Sequence, residues 1–209
     1  MKMNIDKDTK IYGSFSNKPG NNGTKFFNRA FEKFKINAIY KSFYSEDIES
    51  SIKSALHLKF GGFAVSTPHK IKIVQFLDEF DESVIDIGSC NTVVIKENKL
   101  HGYNTDWIGV DKFLPEEIKF LTIVGDGGFS KAVQYVCKKR NIGFKIISRK
   151  NWDDLLSTNG YVFNATPIDI KTNGEVIEGR TDFASGLEIS KFQAIEQFKL
   201  YTGLDYVPS

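Results

Sequence analysis

Between Phe120 and Lys150 the sequence passes from an apolar run, FLTIV, through a glycine loop, GDGG, into FSKAVQYVCKKRNIG and out into a second apolar run, FKIISRK. Short apolar runs bounded by glycine read as buried strands, and the stretch between these two reads as a helix. A strand, a helix and a second strand packed this way make a parallel unit with the helix laid on the sheet face. The same rhythm fills the first hundred residues. KIYGSFS, AIYKSFY and GGFAVST read as strands, and TKFFNRAFEKF sets Phe27, Ala30, Phe31 and Phe34 on one helical face. Ser45 is the expected N-cap of EDIESSIKSALHLKF, with Ile48, Ile52 and Leu56 turned inward. Pro68 suits the first turn of an amphipathic helix that begins around Lys70.

CNTVVIKENKLHGYNTD breaks the rhythm and reads as a hairpin turning near Asn98, followed by a short helix, WIGVDKFL, that ends near Pro115. Alternation resumes after PEEIK and runs through YVFNATP. A domain boundary is therefore expected between about residues 106 and 117. No internal repeat interrupts the pattern.

Composition narrows the function. The chain has 209 residues, 41% of them hydrophobic and 26% charged, with a net charge of +2, so neither nucleic acid nor an anionic membrane is an expected partner. The opening MKMNIDKDTK is polar, unlike a signal peptide, and no apolar run approaches a membrane span. Two cysteines, Cys90 and Cys137, form no close-spaced pair, and a reduced, cytoplasmic protein is expected. The three histidines lack ligand spacing, so no metal site is expected.

Gly125, Gly127 and Gly128 follow an apolar strand and open a helix, the context that a dinucleotide-binding loop requires. The glycines allow a tight turn and close approach of backbone N–H groups to a pyrophosphate, which the helix N-terminus favours. A tight strand-to-helix turn is the plainer reading. The third position of the fingerprint is Ser130, and Asp126 puts an acid in the loop. At the end of the next strand, where an acid would bind the ribose of NAD, stand Ser148, Arg149 and Lys150. Arginine there suits a 2′-phosphate, so NADP is the expected cofactor.

VSTPHK, GSCNTV, GYNTD, IVGDGG and NATP, in that order, resemble the shikimate dehydrogenase family over nearly the whole chain. The opening SFSNKPGNNGTKFFN is more similar to the shikimate-dehydrogenase-like subgroup than to the main biosynthetic enzymes. The resemblance implies an α/β fold: a substrate domain over residues 1–106 plus 188–209, with the C-terminal helix returning to it, and a shortened Rossmann-type NADP-binding domain over 107–187. It implies an oxidoreductase acting on a CH–OH group of a hydroxylated cyclic carboxylate, with a place in chorismate and aromatic amino acid biosynthesis, as a monomer or homodimer. Lys70 and Asp106 match the catalytic pair. Ser14 and Ser16 match the serines that hold the substrate carboxylate, Ser66 and Asn91 the groups on the ring hydroxyls, and Gln193 a substrate contact on the last helix. Gly125, Gly127 and Gly128 match the cofactor loop, joined by Ser148, Arg149, Lys150, Asn164 and Thr166.

Each residue also has a plainer role. Lys70 could be a solvated charge, Asp106 a helix cap, Asn91 the start of a hairpin strand, and Gln193 a surface side chain. A cation in the first turn of a helix is opposed by only ~0.3–1 kcal/mol, so the chemistry of Lys70 is expected to rest on position more than on the helix field. Ser14 and Ser16, two apart on a strand, share a face. Three departures from the family pattern stand out. About one strand–helix unit is missing after NATPIDI, Ala64 stands where the family strand carries asparagine, and Asp126 brings a negative charge to the loop. Quinate or another cyclic acid is the alternative substrate, and a ligand-binding relative with a weakened cofactor site is the alternative class.

Overall fold

A computed structural model describes residues 5–208; the polar opening's first four residues and the last residue lie outside it. The chain divides into two compact units, one of residues 1–105 with 194–209 and one of residues 106–193.

The first unit is built on a six-stranded sheet. Its strands are β1 (Lys10–Ser16), β2 (Ala38–Tyr44), β3 (Gly62–Val65), β4 (Glu79–Phe80), β5 (Thr92–Lys96) and β6 (Lys99–Tyr103), in the order β2-β1-β3-β5-β6-β4. β1 pairs in parallel with β2 and β3, and β5 is antiparallel to β3 and β6. Glu97 and Asn98 both take positive φ in the β5–β6 turn, which is what a two-residue hairpin matched to strand twist demands. Alternation along the strands gives each face its own core. Phe15, Phe63, Val65 and Val93 pack with Ile48, Ile52 and Ala55 of helix α2 (Ile48–His57). On the other face, Tyr12, Tyr40 and Val94 pack with Phe27, Ala30 and Phe31 of α1 (Asn22–Phe34) and with Ala194, Phe198 and Tyr201. The last three residues lie on α6 (Ala184–Thr202), whose final turns thus complete this layer.

Two local expectations give way. Asp47, not Ser45, caps α2: its carboxylate accepts the Ser50 N–H at 2.9 Å, while the Ser45 hydroxyl pairs with that of Ser51 at 2.7 Å. The amphipathic stretch after Pro68 forms no α-helix. The Thr67–Pro68 peptide is cis, residues 67–70 form turns, and only a 3-10 segment, Lys72–Phe76, follows. Of its residues only Ile73 is buried, and Ile71 just before it is exposed. α3 (Glu82–Ile87) then leads to β5.

The second unit opens with α4 (Asp106–Phe113) and carries a parallel sheet of β7 (Phe120–Val124), β8 (Gly143–Ile147), β9 (Tyr161–Asn164) and β10 (Glu175–Glu178), in the order β10-β9-β7-β8. α5 (Gly128–Lys139) joins β7 to β8, and its Val133, Val136 and Cys137 pack on Leu121, Ile123 and Phe163. Val124, Ile147 and Val162 face the other way, onto Leu155. β10 lies within the stretch after NATPIDI, where about one strand–helix unit of the family pattern is missing. Both cysteines are buried and neither forms a disulfide, and burial pushes the Cys137 thiol up to about 11.

Phe198 is fully buried against Phe31, Phe34 and Tyr206. Phe198→Ala is expected to lower the unfolding free energy by about 3–5 kcal/mol. Leu156→Ala, at an exposed site, should change it by less than about 0.5 kcal/mol in the same urea titration. The Ser50 N–H, the Ser50 hydroxyl and Lys72 hold the Asp47 carboxyl well below the usual carboxylate range. A depressed carboxylate stabilises the fold above its unfolded pKa and loses that contribution as pH falls through the folded value. Asp47→Asn keeps an acceptor at the cap but does not titrate there, so thermal melts across acid pH should show a shallower loss of stability than the wild type.

Candidate functional site

In the first unit the register places a row of small and polar residues across the sheet. Ser42 of β2 aligns with Ser14 of β1, Ser14 with Ala64 of β3, Ala64 with Thr92 of β5, and Thr92 with Tyr103 of β6. The row lies on the α1 face, at the end of β1 where Ser14 and Ser16 fall. Its hydroxyls are tied to their surroundings. Ser42 shares a hydrogen bond with Thr24 of α1 at 3.1 Å, and Ser14 bonds the Tyr40 hydroxyl, whose titration burial drives far up. Gln197 of α6 donates to the Thr92 hydroxyl at 2.8 Å. The Tyr201 hydroxyl is buried with no hydrogen-bond partner among the described residues.

The loops at that end of β1 and β3 hold the remaining residues together. The Ser16 hydroxyl donates to the Thr67 carbonyl at 3.2 Å and accepts the Lys18 N–H at 3.0 Å. The Ser66 N–H bonds the Phe15 carbonyl, and the exposed Ser66 side chain follows. Lys70 is half-buried in the turn after Pro68. The Cys90 N–H donates to its carbonyl at 2.8 Å, and the buried ring of His69 bonds the Ser45 carbonyl at 2.9 Å. With no α-helix beginning there, no helix field bears on Lys70.

Next to Cys90 stands Asn91, 3% exposed. Its Oδ1 accepts the Thr105 N–H and the Thr92 hydroxyl, each at 2.8 Å, and its Nδ2 donates to Thr105 Oγ1 at 2.9 Å. Its backbone carbonyl accepts the Val65 N–H. Ser14, Ser16, Ser66, Lys70 and Asn91 are thereby linked through one set of neighbouring backbone and side-chain bonds. Asp106 and Gln193 belong to the second unit. Asp106 begins α4, immediately after Thr105 in the chain, and is 1% exposed. The Gln193 stem lies over α4, its Cγ 2.7 Å from where a Cβ on Gly109 would stand.

In the second unit, parallel strands send their C-terminal ends to one side, where ligands of open α/β sheets bind. Gly125, with φ +106°, turns the chain out of β7 into α5; a side chain there would be strained and would press on Thr166 Cγ2 at 3.0 Å. Gly127 has no heavy atom within 4 Å of its missing Cβ, leaving the space that close approach of a phosphate needs. Ser130, at the third fingerprint position, donates its hydroxyl to the Gly125 carbonyl at 2.7 Å and locks the loop. Asp126 is exposed. Ser148 follows β8, its N–H held by Asn151 at 2.9 Å, and exposes Arg149 and Lys150 just beyond. Asn164 ends β9, fully buried, accepting from the Thr166 N–H at 3.0 Å and the Thr166 hydroxyl at 2.7 Å. A glycine turn with open space and an arginine at the neighbouring strand end fit a phosphorylated dinucleotide.

Sequence reasoning passed over Ser42, Thr92, Tyr103, Thr105 and Gln197 in the first unit and Glu178 in the second. Thr92 and Thr105 had a signal, since each follows an asparagine in a quoted motif. Ser42, Tyr103 and Gln197 had none, because only strand register and helix docking bring them to the row. Among the described residues no group of three or more His, Cys, Asp or Glu could hold a metal ion, and no helix is long and apolar enough to cross a membrane.

The shikimate dehydrogenase substrate-binding-domain model matches residues 23–93. The chain is 32% identical over 252 aligned positions to a shikimate dehydrogenase-like protein of Haemophilus influenzae, covering 95% of this chain and 92% of that protein. The alignment is longer than this chain's 209 residues, so the relative carries stretches absent here. A shikimate dehydrogenase (NADP(+)) of Methanococcus maripaludis is 34% identical over 194 positions, covering 85% of this chain and 69% of that one. The solved structure of a shikimate 5-dehydrogenase-like protein matches with a TM-score of 0.77 at 30% identity, over 97% of this chain and 95% of that one. From the glycine turn of the second unit to the asparagine-held strand ends of the first, the chain belongs to the shikimate dehydrogenase family.

Proposed function

We propose that the chain is an NADP-dependent oxidoreductase that interconverts 3-dehydroshikimate and shikimate. The observation that supports this reading is the backbone bond from Cys90, the neighbour of the buried Asn91, to the Lys70 carbonyl, which ties the Lys70 turn to the stretch that borders the polar row of Ser14, Ser42 and Thr92. A row of hydroxyls suits a polyhydroxylated ring, and the Lys70 amine is the group that would transfer a proton to one ring oxygen.

Ser14 and Ser16 would receive the substrate carboxylate, and Ser66 and Asn91 the ring hydroxyls. Asn91 spends its Oδ1 on Thr105 and Thr92, so its amide orientation is fixed before a ligand arrives. When bound, NADPH supplies the hydride that reduces the ring ketone. Lys70 gives the proton that the resulting oxygen needs, and takes it back in the reverse direction. Asp106, the family partner of Lys70, follows Thr105 directly, and the Asn91 bond to the Thr105 N–H fixes the point from which it leaves. Gln193 adds a substrate contact from α6. Gly125, Gly127 and Gly128 would admit the pyrophosphate, Arg149 and Lys150 the 2′-phosphate, with Ser148, Asn164 and Thr166 shaping the rim.

A second reading has its own support: the stretches that the Haemophilus relative carries and this chain lacks. A chain that kept the substrate unit and lost efficient hydride transfer would bind the cyclic acid without turning it over.

Absorbance at the nicotinamide band separates these readings when the purified chain is mixed with NADPH or NADP and a panel of shikimate, 3-dehydroshikimate and quinate. Turnover of the shikimate pair with NADP and not NAD is the expected result. Binding of shikimate with no turnover selects the ligand-binding reading, and turnover of quinate alone reassigns the substrate. Lys70→Ala should lower kcat by roughly 10²–10⁴-fold while the protein remains folded; wild-type turnover in that variant rejects the assignment. Asn91→Ala leaves the Thr105 N–H and the Thr92 hydroxyl without their acceptor and should cost about 1–3 kcal/mol per unsatisfied group in a denaturant titration.

A further inference from the structure

Glu178 closes β10, next to the end of β9, and it is neither solvated nor idle. Its side chain is 12% exposed, and its carboxylate sits between two donors. On one side, Arg180 Nε donates to Oε2 and Arg180 Nη2 to Oε1, each at 3.0 Å, in a bidentate pair. On the other, Asn164 Nδ2 lies 3.1 Å from both oxygens. Arg180 Nη1 also pairs with the exposed Asp169 at 2.7 Å, and its guanidinium stacks on Phe183. The Ser185 hydroxyl accepts the Glu178 N–H and donates to the Glu178 carbonyl, pinning the strand end.

An ionised carboxylate accepts hydrogen bonds and cannot donate them. Facing it, the Asn164 amide must present its NH₂, so Oδ1 turns the other way and takes the N–H and hydroxyl of Thr166. Thr166 in turn lies against Gly125 of the loop out of β7. We propose that Glu178 is a positioning residue for the cofactor: through Asn164 it fixes Thr166 against the glycine turn, and Arg180 neutralises a carboxylate that would otherwise repel a polyanion at that rim. The proposal rests on the NADP reading above and adds two residues that none of the sequence motifs contains.

The test measures NADPH affinity by fluorescence titration of the whole chain, with amide hydrogen exchange at Thr166 as a readout that needs no cofactor. Glu178→Ala is expected to speed Thr166 exchange, weaken NADPH binding roughly tenfold to a hundredfold and raise the KM for NADPH, with the KM for the cyclic acid unchanged. Glu178→Gln keeps an acceptor for Asn164 and should retain most of the affinity. Arg180→Ala leaves the carboxylate unopposed and should weaken NADPH binding; adding Glu178→Gln to it should restore binding, a rescue that a purely structural role for the pair would not give. Should Glu178→Ala fail to fold, the Arg180→Ala single and double variants decide the matter. Unchanged Thr166 exchange in folded Glu178→Ala, or a double variant no better than Arg180→Ala, overturns the proposal. A wild-type chain that takes up no NADPH overturns the functional reading and this proposal with it, whereas loss of the rescue alone leaves that reading standing.

Discussion

The arrangement of the first unit depends on one buried amide. Asn91 stands immediately before β5: its Oδ1 gathers the Thr105 N–H and the Thr92 hydroxyl, and its Nδ2 reaches Thr105 Oγ1. These bonds fasten the start of β5 to the chain leaving β6. Buried polar groups that are fully paired hold a unique geometry, because every alternative leaves a donor or acceptor without water or partner. The neighbouring Cys90 N–H adds Lys70 to the same knot, and the Asn91 carbonyl adds the end of β3. Remove the amide and the Thr105 stretch loses its tie to the start of β5, while the backbone bonds to Lys70 and Val65 remain.

The second unit repeats the device. Asn164 ends its strand as Asn91 precedes one, and each offers Oδ1 to both the N–H and the hydroxyl of a threonine further along, Thr166 in one case and Thr105 in the other. In both units a loop at the end of the sheet is fixed by an asparagine that is itself held. The difference lies in what holds it. Asn91 is flanked by Thr92, a neutral hydroxyl, whereas Asn164 faces a carboxylate that requires its own counter-charge in Arg180.

The strands β1, β2, β7 and β8 were legible because period-two or continuous apolar patterns bounded by glycine have few other solutions, and the hairpin because Glu97 and Asn98 separate two such runs. The loop glycines were legible through the strand before and the helix after. The cross-strand row was not. Ser14 was singled out from resemblance, but its neighbours Ser42, Ala64 and Thr92 are set by register, and register arises from pairing partners that a single strand does not name. The segment after Pro68 misled for a physical reason. Ile71, Ile73, Val74, Phe76 and Leu77 carry helical spacing, yet a turn at Lys70 tied to Cys90 leaves room only for a 3-10 segment.

β10 forms one edge of the sheet in the second unit. Four residues, Glu175–Glu178, carry little pattern of their own, and Val176 remains partly exposed on an edge strand. An open edge invites pairing with another chain. Here the Ser185 hydroxyl occupies both backbone groups of Glu178, and α6 begins within the same short connection. The Ser185 bonds and the Arg180 pair converge on Glu178, whose carboxylate also faces the Asn164 amide. The two sets of bonds use different atoms of one residue: the Ser185 hydroxyl holds the Glu178 backbone at the strand end, while the Glu178 carboxylate faces Asn164 and Arg180.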